Sequence, residues 1–252
     1  MALATLLTDT LQLLWPARCA GCDDYVADPS LFCASCAPSV TPLRGSCPGC
    51  ALPLVEIQPV GGRCHVCRRA PFAFAEAEVA CEYGAALADA IVSMKHGRRR
   101  DLAWRLARLL VEPLARALTR GDLGPGDAVV PVPLHPRKLR RRGFNQALEL
   151  ARAALALLAR GTAGVARAPP ALERTLLGRV RDTRELGHLG PAARLCEVAG
   201  AFAVRDAARL RGRRVLLLDD VFTTGATLNE CATVLRAAGA REVRVVALAR
   251  AV

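Results

Sequence analysis

The sequence predicts an α/β protein, a doubly wound parallel sheet with a small Cys-rich double zinc ribbon ahead of it, and three observations carry that prediction. From about residue 76 onward, apolar runs of strand length alternate with segments of helical periodicity, the order that places helices on both faces of a parallel sheet. One such run, Val215 to Leu218, ends at Asp219 and Asp220 and passes through a Thr/Gly loop into a helical pattern. Ahead of the alternating part, four Cys-x-x-Cys pairs fall within the first 67 residues.

The 252 residues divide into a module over residues 1–70 and an α/β domain over 71–252, long enough for a substantial covered sheet. Residues 1–15, MALATLLTDTLQLLW, space their leucines as a short amphipathic helix that docks on the body. They lack a basic start and contain Asp9, and no apolar stretch approaches the roughly 20 residues of a membrane span, so a cytoplasmic chain without membrane insertion is expected. The cysteine pairs are Cys19 and Cys22, Cys33 and Cys36, Cys47 and Cys50, Cys64 and Cys67. Two residues between thiolates let both sulfurs face one tetrahedral ion while intervening N–H groups bond the sulfurs, so two such knuckles complete a Cys₄ structural zinc site. Two zinc ribbons in tandem are expected, in preference to disulfides or redox pairs, because the chain shows no secretory signal and four redox pairs in so short a stretch would be odd. Spacing leaves open which pairs share an ion, and His65 is a possible substitute ligand. So small a module has too little apolar core to fold alone, and metal binding supplies the missing free energy. Cys81, Cys196 and Cys231 are isolated and read as small buried hydrophobes.

In the second part, Glu76 to Tyr83 is predicted as a strand and Ala85 to Met94 and Leu102 to Thr119 as helices, with Lys95 and His96 closing the first of these as C-terminal cations. Gly121 to Gly126 and Gly161 to Pro170 are loops by composition. Between them, Asp127 to Pro133 reads as a buried strand, a basic loop follows, and a long Ala/Leu helix is expected from Gly143 to about Leu158. Val215 to Leu218 has the unbroken apolar character of a strand covered on both faces. Asp219 and Asp220 stand at its carboxyl end, where open sheets place ligands; two carboxylates there repel unless hydroxyl donors or a cation relieve them, as a ribose diol or Mg²⁺ would. Thr223, Thr224, Gly225, Ala226 and Thr227 are small enough for backbone N–H groups to close on an anion at a helix start, so a phosphate fits this loop. Leu228 to Ala238 is predicted helical with Gly239 just past its end, and Arg241 to Ala249 is the final buried strand.

The segment VLLLDDVFTTGAT, Val215 to Thr227, resembles the signature of the type I phosphoribosyltransferases. That resemblance implies a 5′-phosphate of phosphoribosyl pyrophosphate (PRPP) on Thr223 to Thr227 and ribose hydroxyls on Asp219 and Asp220. It also implies pyrophosphate contacts from Arg137, Lys138, Arg141 and Arg142, with Mg²⁺ bridging the leaving group, so that electrostatic stabilisation is the main catalytic effect. Together with the cysteine pairs, the opening LLWPARCAGC, the SMKHGRRRDLA stretch at Ser93 to Ala103 and PVPLHPRKLRRRGFNQALELA from Pro131 to Ala151 make nearly the whole chain similar to the ComF family, associated with natural competence. Between Arg179 and Phe202 the chain keeps Arg181 and Thr183 of the family pattern but carries Leu186 where Gln is usual and Glu197 where Asn is usual. Phe144 either stacks a base, with Asn145 or Gln146 on its edge, or packs under the helix start. His135, between prolines, is read as structural or exposed.

Net charge is +12, and eight zinc-bound thiolates with two Zn²⁺ leave roughly +8. The positive charge falls in three clusters: Arg98 to Arg100; Arg137, Lys138 and Arg140 to Arg142; and Arg211, Arg213 and Arg214. The last is expected to form a solvated edge, while the first two flank ligand loops where they meet pyrophosphate or a nucleic-acid backbone. Three functional classes follow: a PRPP-dependent transferase or hydrolase, a single-stranded DNA handling protein working with competence or recombination proteins, and a PRPP sensor without turnover. The acid pair and the loop imply PRPP binding in each. Charge and motifs fix neither the acceptor nor the oligomeric state.

Overall fold

A computed structural model describes residues 17–26, 30–54, 62–97, 99–161, 168–183 and 190–251. The predicted amino-terminal helix over residues 1–15, Arg98, Leu186 and most of the loop from Gly161 to Pro170 lie outside the described residues.

After the cysteine module, which contains the short helix α1 (His65–Arg69), the chain runs β1 (Ala77–Glu82), α2 (Ala85–His96), α3 (Arg100–Arg120), β2 (Ala128–Pro131), α4 (Pro136–Arg142) and α5 (Gln146–Ala159). It continues through β3 (Ala171–Leu172), β4 (Leu177–Arg179), α6 (Pro191–Val198), β5 (Phe202–Val204), β6 (Arg214–Phe222), α7 (Ala226–Ala237) and β7 (Glu242–Arg250). Five strands form one sheet in the order β1-β7-β6-β2-β3, every pair parallel. The expected architecture is therefore present, with β6 at the centre. Consecutive residues of a strand point to opposite faces, and Val215 to Asp220 are all buried, so β6 is covered on both sides. On α3, Leu102, Leu106, Leu110, Leu114 and Leu118 recur at helical spacing and bury one stripe among α5, β1 and β7. Helix α7 packs on β6, β7 and β5.

Several boundaries differ from the sequence reading. Strand β6 does not stop at the acid pair but continues to Phe222, because β7 keeps pairing with it as far as Phe222 and Arg250. The basic loop is the helix α4, capped by His135, whose Nδ1 accepts from Arg137 N at 3.4 Å, and ended by Gly143 in the left-handed region at φ 87°. The following helix consequently begins at Gln146 rather than Gly143, with the Asn145 side chain accepting from Ala147 N and Leu148 N. The stretch between Arg179 and Phe202 contains α6, and its two ends pair as the antiparallel hairpin β4-β5.

The cysteine module lies against the free edge of the sheet. Leu43 N donates to Ala80 O at 2.9 Å, Glu82 N to Thr41 O at 2.9 Å and Ala77 N to Pro48 O at 2.8 Å, so ribbon backbone occupies positions that would otherwise leave β1 an open edge. Arg105 of α3 reaches the carbonyls of Arg18, Ser30 and Leu31 and fastens the other side of the module.

Candidate functional site

The eight cysteines gather into two groups, Cys19, Cys22, Cys33 and Cys36 in one and Cys47, Cys50, Cys64 and Cys67 in the other, each with its sulfurs within 4.8 Å of one another. Neighbouring pairs share a site, which settles the pairing that spacing left open. Each turn aims N–H groups at sulfur: Cys33 N donates to Cys19 Sγ and Cys64 N to Cys47 Sγ, both at 3.3 Å. Burial pushes the Cys19 thiol up, yet the N–H groups of Cys22, Cys33 and Gly21 outweigh it and bring the group down to about 6. At Cys47 burial is likewise overcome, by N–H groups of Cys64, Gly49 and Cys50, to about 7. Four clustered sulfurs with N–H donors fit a structural Zn²⁺, and the residues present supply the whole tetrahedral set. His65 is exposed and outside both groups. Cys81 and Cys231 are buried as expected, whereas Cys196 is exposed on α6, a helix that buries only its last residue among those whose side chains are described.

At the other end of the chain, β6 delivers Asp219 and Asp220 to a point where both are buried, 8% and 4% exposed. Asp220 N donates to Asp219 Oδ1 at 2.9 Å, which keeps the two acids in contact. Asp220 receives Gln146 Nε2 from α5 at 3.4 Å and forms an ion pair with Lys95 from the last turn of α2. Burial pushes its carboxyl up, but the Lys95 ammonium holds it below the usual carboxylate range. Among the described residues no cation pairs directly with Asp219; burial first and the Asp220 charge second push its carboxyl well above that range. The cation that the acid pair was expected to require is thus a residue of the chain itself. Lys95 does sit in the last turn of its helix, but the sequence reading missed its contact with Asp220, because a lysine in that place already satisfies the helix end.

Just beyond the acids the strand turns at Thr223 and Thr224 into Gly225, which lies in the left-handed region at φ 82° and precedes α7. A Cβ there would stand 2.7 Å from the Phe222 ring and 2.8 Å from the Phe72 ring, so only glycine fits. Gly225 offers no side-chain cap to α7, and Thr224 Oγ1 turns inward only weakly, accepting from Ala226 N at 3.4 Å. The acid pair, Thr223, Thr224, Thr227 and the backbone N–H groups of this helix start fall within nine consecutive residues, Asp219 to Thr227.

The basic helix α4 is held beside the hairpin. Lys138 Nζ donates to Thr183 O at 2.8 Å, and His135 and Arg137 approach Asp182 at 3.6 and 3.9 Å. Arg137 and Arg141 are exposed. Thr183, one of the family residues the chain keeps, is 4% exposed and bonded through its hydroxyl to Arg179, and Arg181 donates to the carbonyls of Glu197 and Ala199. Glu197 therefore enters this contact by its backbone, which any residue supplies. Phe144 is 7% exposed, Asn145 caps α5 and donates to Val132 O, and Gln146 links Arg142 to Asp220. The other two arginine clusters are largely committed. Arg99 pairs with Asp23 and Asp101, and Arg100 with Glu149. Arg213 and Arg214, expected as a solvated edge, instead pair with Glu173 and with Asp122 and Asp127 and tie the loops at the opposite end of the sheet.

Residues 174–251 match the family model described as a phosphoribosyl transferase domain, and residues 10–68 the one described as a double zinc ribbon domain. The chain is 31% identical over 219 residues to the DNA utilization protein YhgH of Salmonella typhimurium, covering 87% of this chain and 90% of that protein. It is 35% identical over 147 residues to competence protein F of Haemophilus influenzae, covering 58% of this chain and 60% of that one. Among solved structures, the hypoxanthine-guanine phosphoribosyl transferase of L. donovani overlays 59% of this chain and 67% of its own at 16% identity and a TM-score of 0.34. With paired Cys₄ clusters in front, a strand-loop-helix acid site behind and nine tenths of a YhgH protein matched, the chain belongs to the ComF/YhgH family of double zinc ribbon proteins with a phosphoribosyl transferase domain.

Proposed function

We propose that this chain binds PRPP with Mg²⁺ at the carboxyl end of β6 and serves DNA uptake or utilisation in the cytoplasm as a phosphoribosyltransferase-like protein. One observation carries the reading: two adjacent acids are buried beside a glycine-hinged helix start, one of them paired with Lys95 and the other held well above the usual carboxylate range by burial and by its neighbour. A fold keeps such a pair where a ligand with hydroxyls and a phosphate is to be held. In this reading Thr223, Thr224, Gly225, Ala226 and Thr227 enclose the 5′-phosphate with backbone N–H groups and hydroxyls. Asp219 and Asp220 accept from the ribose hydroxyls, while Arg137, Lys138 and Arg141 on α4 face the pyrophosphate. Mg²⁺, when bound, neutralises the pyrophosphate oxygens. Lys95 then exchanges its carboxylate for the incoming charge.

Titration calorimetry tests this directly. The wild-type chain with MgCl₂ is expected to bind PRPP and the Asp219→Asn, Asp220→Asn double variant to give no heat, so equal affinity in the two removes the reading. A panel of purines and pyrimidines that consumes PRPP places the chain among the transferases, whereas PRPP recovered intact makes it a sensor. The DNA role draws on the names of the relatives. Exposed Arg140 and Arg141 supply strand phosphate contacts in it, and oligonucleotide binding indifferent to salt would remove that part.

A further inference from the structure

We infer that Arg250 makes the phosphate loop depend on the second Cys₄ cluster, so that the loop is held in its receiving shape while Cys47, Cys50, Cys64 and Cys67 carry a metal and is released when they do not. This rests on the reading of that loop as a PRPP site. Arg250 is the last residue of β7 and is 8% exposed. Its Nε donates to Cys50 O at 3.0 Å, and its Nη1 to Phe222 O at 3.0 Å and to the carbonyls of Thr223 and Ala251. The guanidinium also lies over the Phe222 ring, 4.6 Å from its centroid. One planar group thus joins a ligand turn of the cluster to the two residues at which β6 becomes the phosphate loop.

All four bonded acceptors are neutral carbonyls, and among the described residues no carboxylate pairs with Arg250. A buried donor left unpaired loses its solvent as well as its partner, so each of these bonds counts. With a metal on the cluster the Cys50 turn would be fixed through its sulfur, and the Cys50 carbonyl would hold Arg250 in place; without the metal that acceptor is no longer fixed, and the bonds to Phe222 O and Thr223 O lose their anchor.

A second connection runs in parallel. The chain leaving Cys67 places Phe72 against Gly225, stacks it on Phe74 at 4.7 Å and sets it edge-on to Phe222 at 6.0 Å. Ala73 N donates to Asn229 Oδ1, in the first turn of α7, at 2.7 Å. The first cluster has no such link among the described residues; its module contacts go to α2 and α3. The coupling is thus specific to one of the two metals.

Binding linkage is reciprocal, so ligand at the loop must hold metal in the second cluster. The test follows zinc release from the full, zinc-loaded chain into a chromogenic chelator, with and without PRPP and excess Mg²⁺. Release of one zinc of the two is expected to slow by about tenfold with PRPP while the other is unchanged. The Asp219→Asn, Asp220→Asn variant should show no slowing. In calorimetry, Arg250→Met at full zinc content is expected to bind PRPP about tenfold or more weakly, with Arg250→Lys between it and wild type. PRPP that slows neither zinc or both alike overturns the inference, as does wild-type affinity in Arg250→Met; if that variant does not fold, the release experiment on the wild-type chain decides. A wild-type chain that gives no heat with PRPP overturns the site reading itself, and this inference falls with it.

Discussion

Replacing Lys95 by Met removes the only cation paired with Asp220 among the described residues while keeping the length of the side chain. The Lys95 side chain is 22% exposed and that of Asp220 5%, so the pair is largely but not wholly withdrawn from water. Removing one member of a buried pair costs 3–5 kcal/mol, and the residual exposure of Lys95 argues for the lower end, about 3 kcal/mol. For a chain of this size that is roughly 6 to 12 °C in Tm. The pH dependence distinguishes this loss from a simple packing defect. In the wild type, Lys95 holds the Asp220 carboxyl below the usual range. Its contribution is therefore complete at neutral pH and is lost only as pH falls below the unfolded carboxylate value of about 3.9 toward the depressed folded one. Without Lys95, burial, the largest influence on Asp220, pushes its carboxyl up instead. The folded variant then holds a proton that the unfolded chain releases, and its stability falls with rising pH by up to about 1.4 kcal/mol per unit. Scanning calorimetry at pH 5, 6, 7 and 8 should show a deficit that is small at pH 5 and widens toward pH 8, and PRPP with Mg²⁺ should narrow it. A deficit of the same size at every pH, or melting indistinguishable from wild type at pH 8, refutes the assignment of Lys95 as the counterion of the acid pair.

Asp219→Asn is expected to raise stability while abolishing PRPP binding: burial and Asp220 hold this carboxyl well above its unfolded value, so wild-type stability falls as pH rises past about 3.9, and the gain from Asn, read by thermal melting, should grow between pH 5 and pH 8. Gly225→Ala forces a side chain into the left-handed region against two aromatic rings and should cost about 2 kcal/mol or more, with PRPP affinity in calorimetry lost alongside Tm. Native mass spectrometry should find two zinc ions per chain, and Cys67→Ser should lose one of them together with a large fraction of Tm, because metal binding supplies folding free energy to so small a module.

What could be read in advance was whatever is written locally. The Cys-x-x-Cys pairs and the Val215 to Thr227 segment state their chemistry within a dozen or so residues, and the strands and helices of the sheet declare themselves by period. Helix α4 escaped because Pro136 to Arg142 has a single large apolar residue, Leu139, and so no stripe to detect; a proline start, a histidine cap and a left-handed glycine make it a helix instead. The hairpin β4-β5 escaped because its strands are three residues each and find one another across the intervening α6. The two residues that give the site its character were both visible and both ambiguous. Lys95 reads as a helix-ending cation, which it also is, and Arg250 falls one residue past the predicted final strand, whereas the strand in fact ends on it. Their further roles come from tertiary distance alone. Lys95, at the end of α2, is brought to Asp220 on the central strand, and Arg250 is brought to Thr223 because β7 pairs with β6 in register up to Phe222. The phosphate loop is therefore a local motif supported from two non-local directions, a lysine that neutralises its acids and an arginine that fixes its backbone. The two supports predict different failures. Loss of the lysine should be repaired by pH or by ligand, whereas loss of the arginine should be repaired by neither, since no protonation and no magnesium replaces the bonds to Phe222 O and Thr223 O.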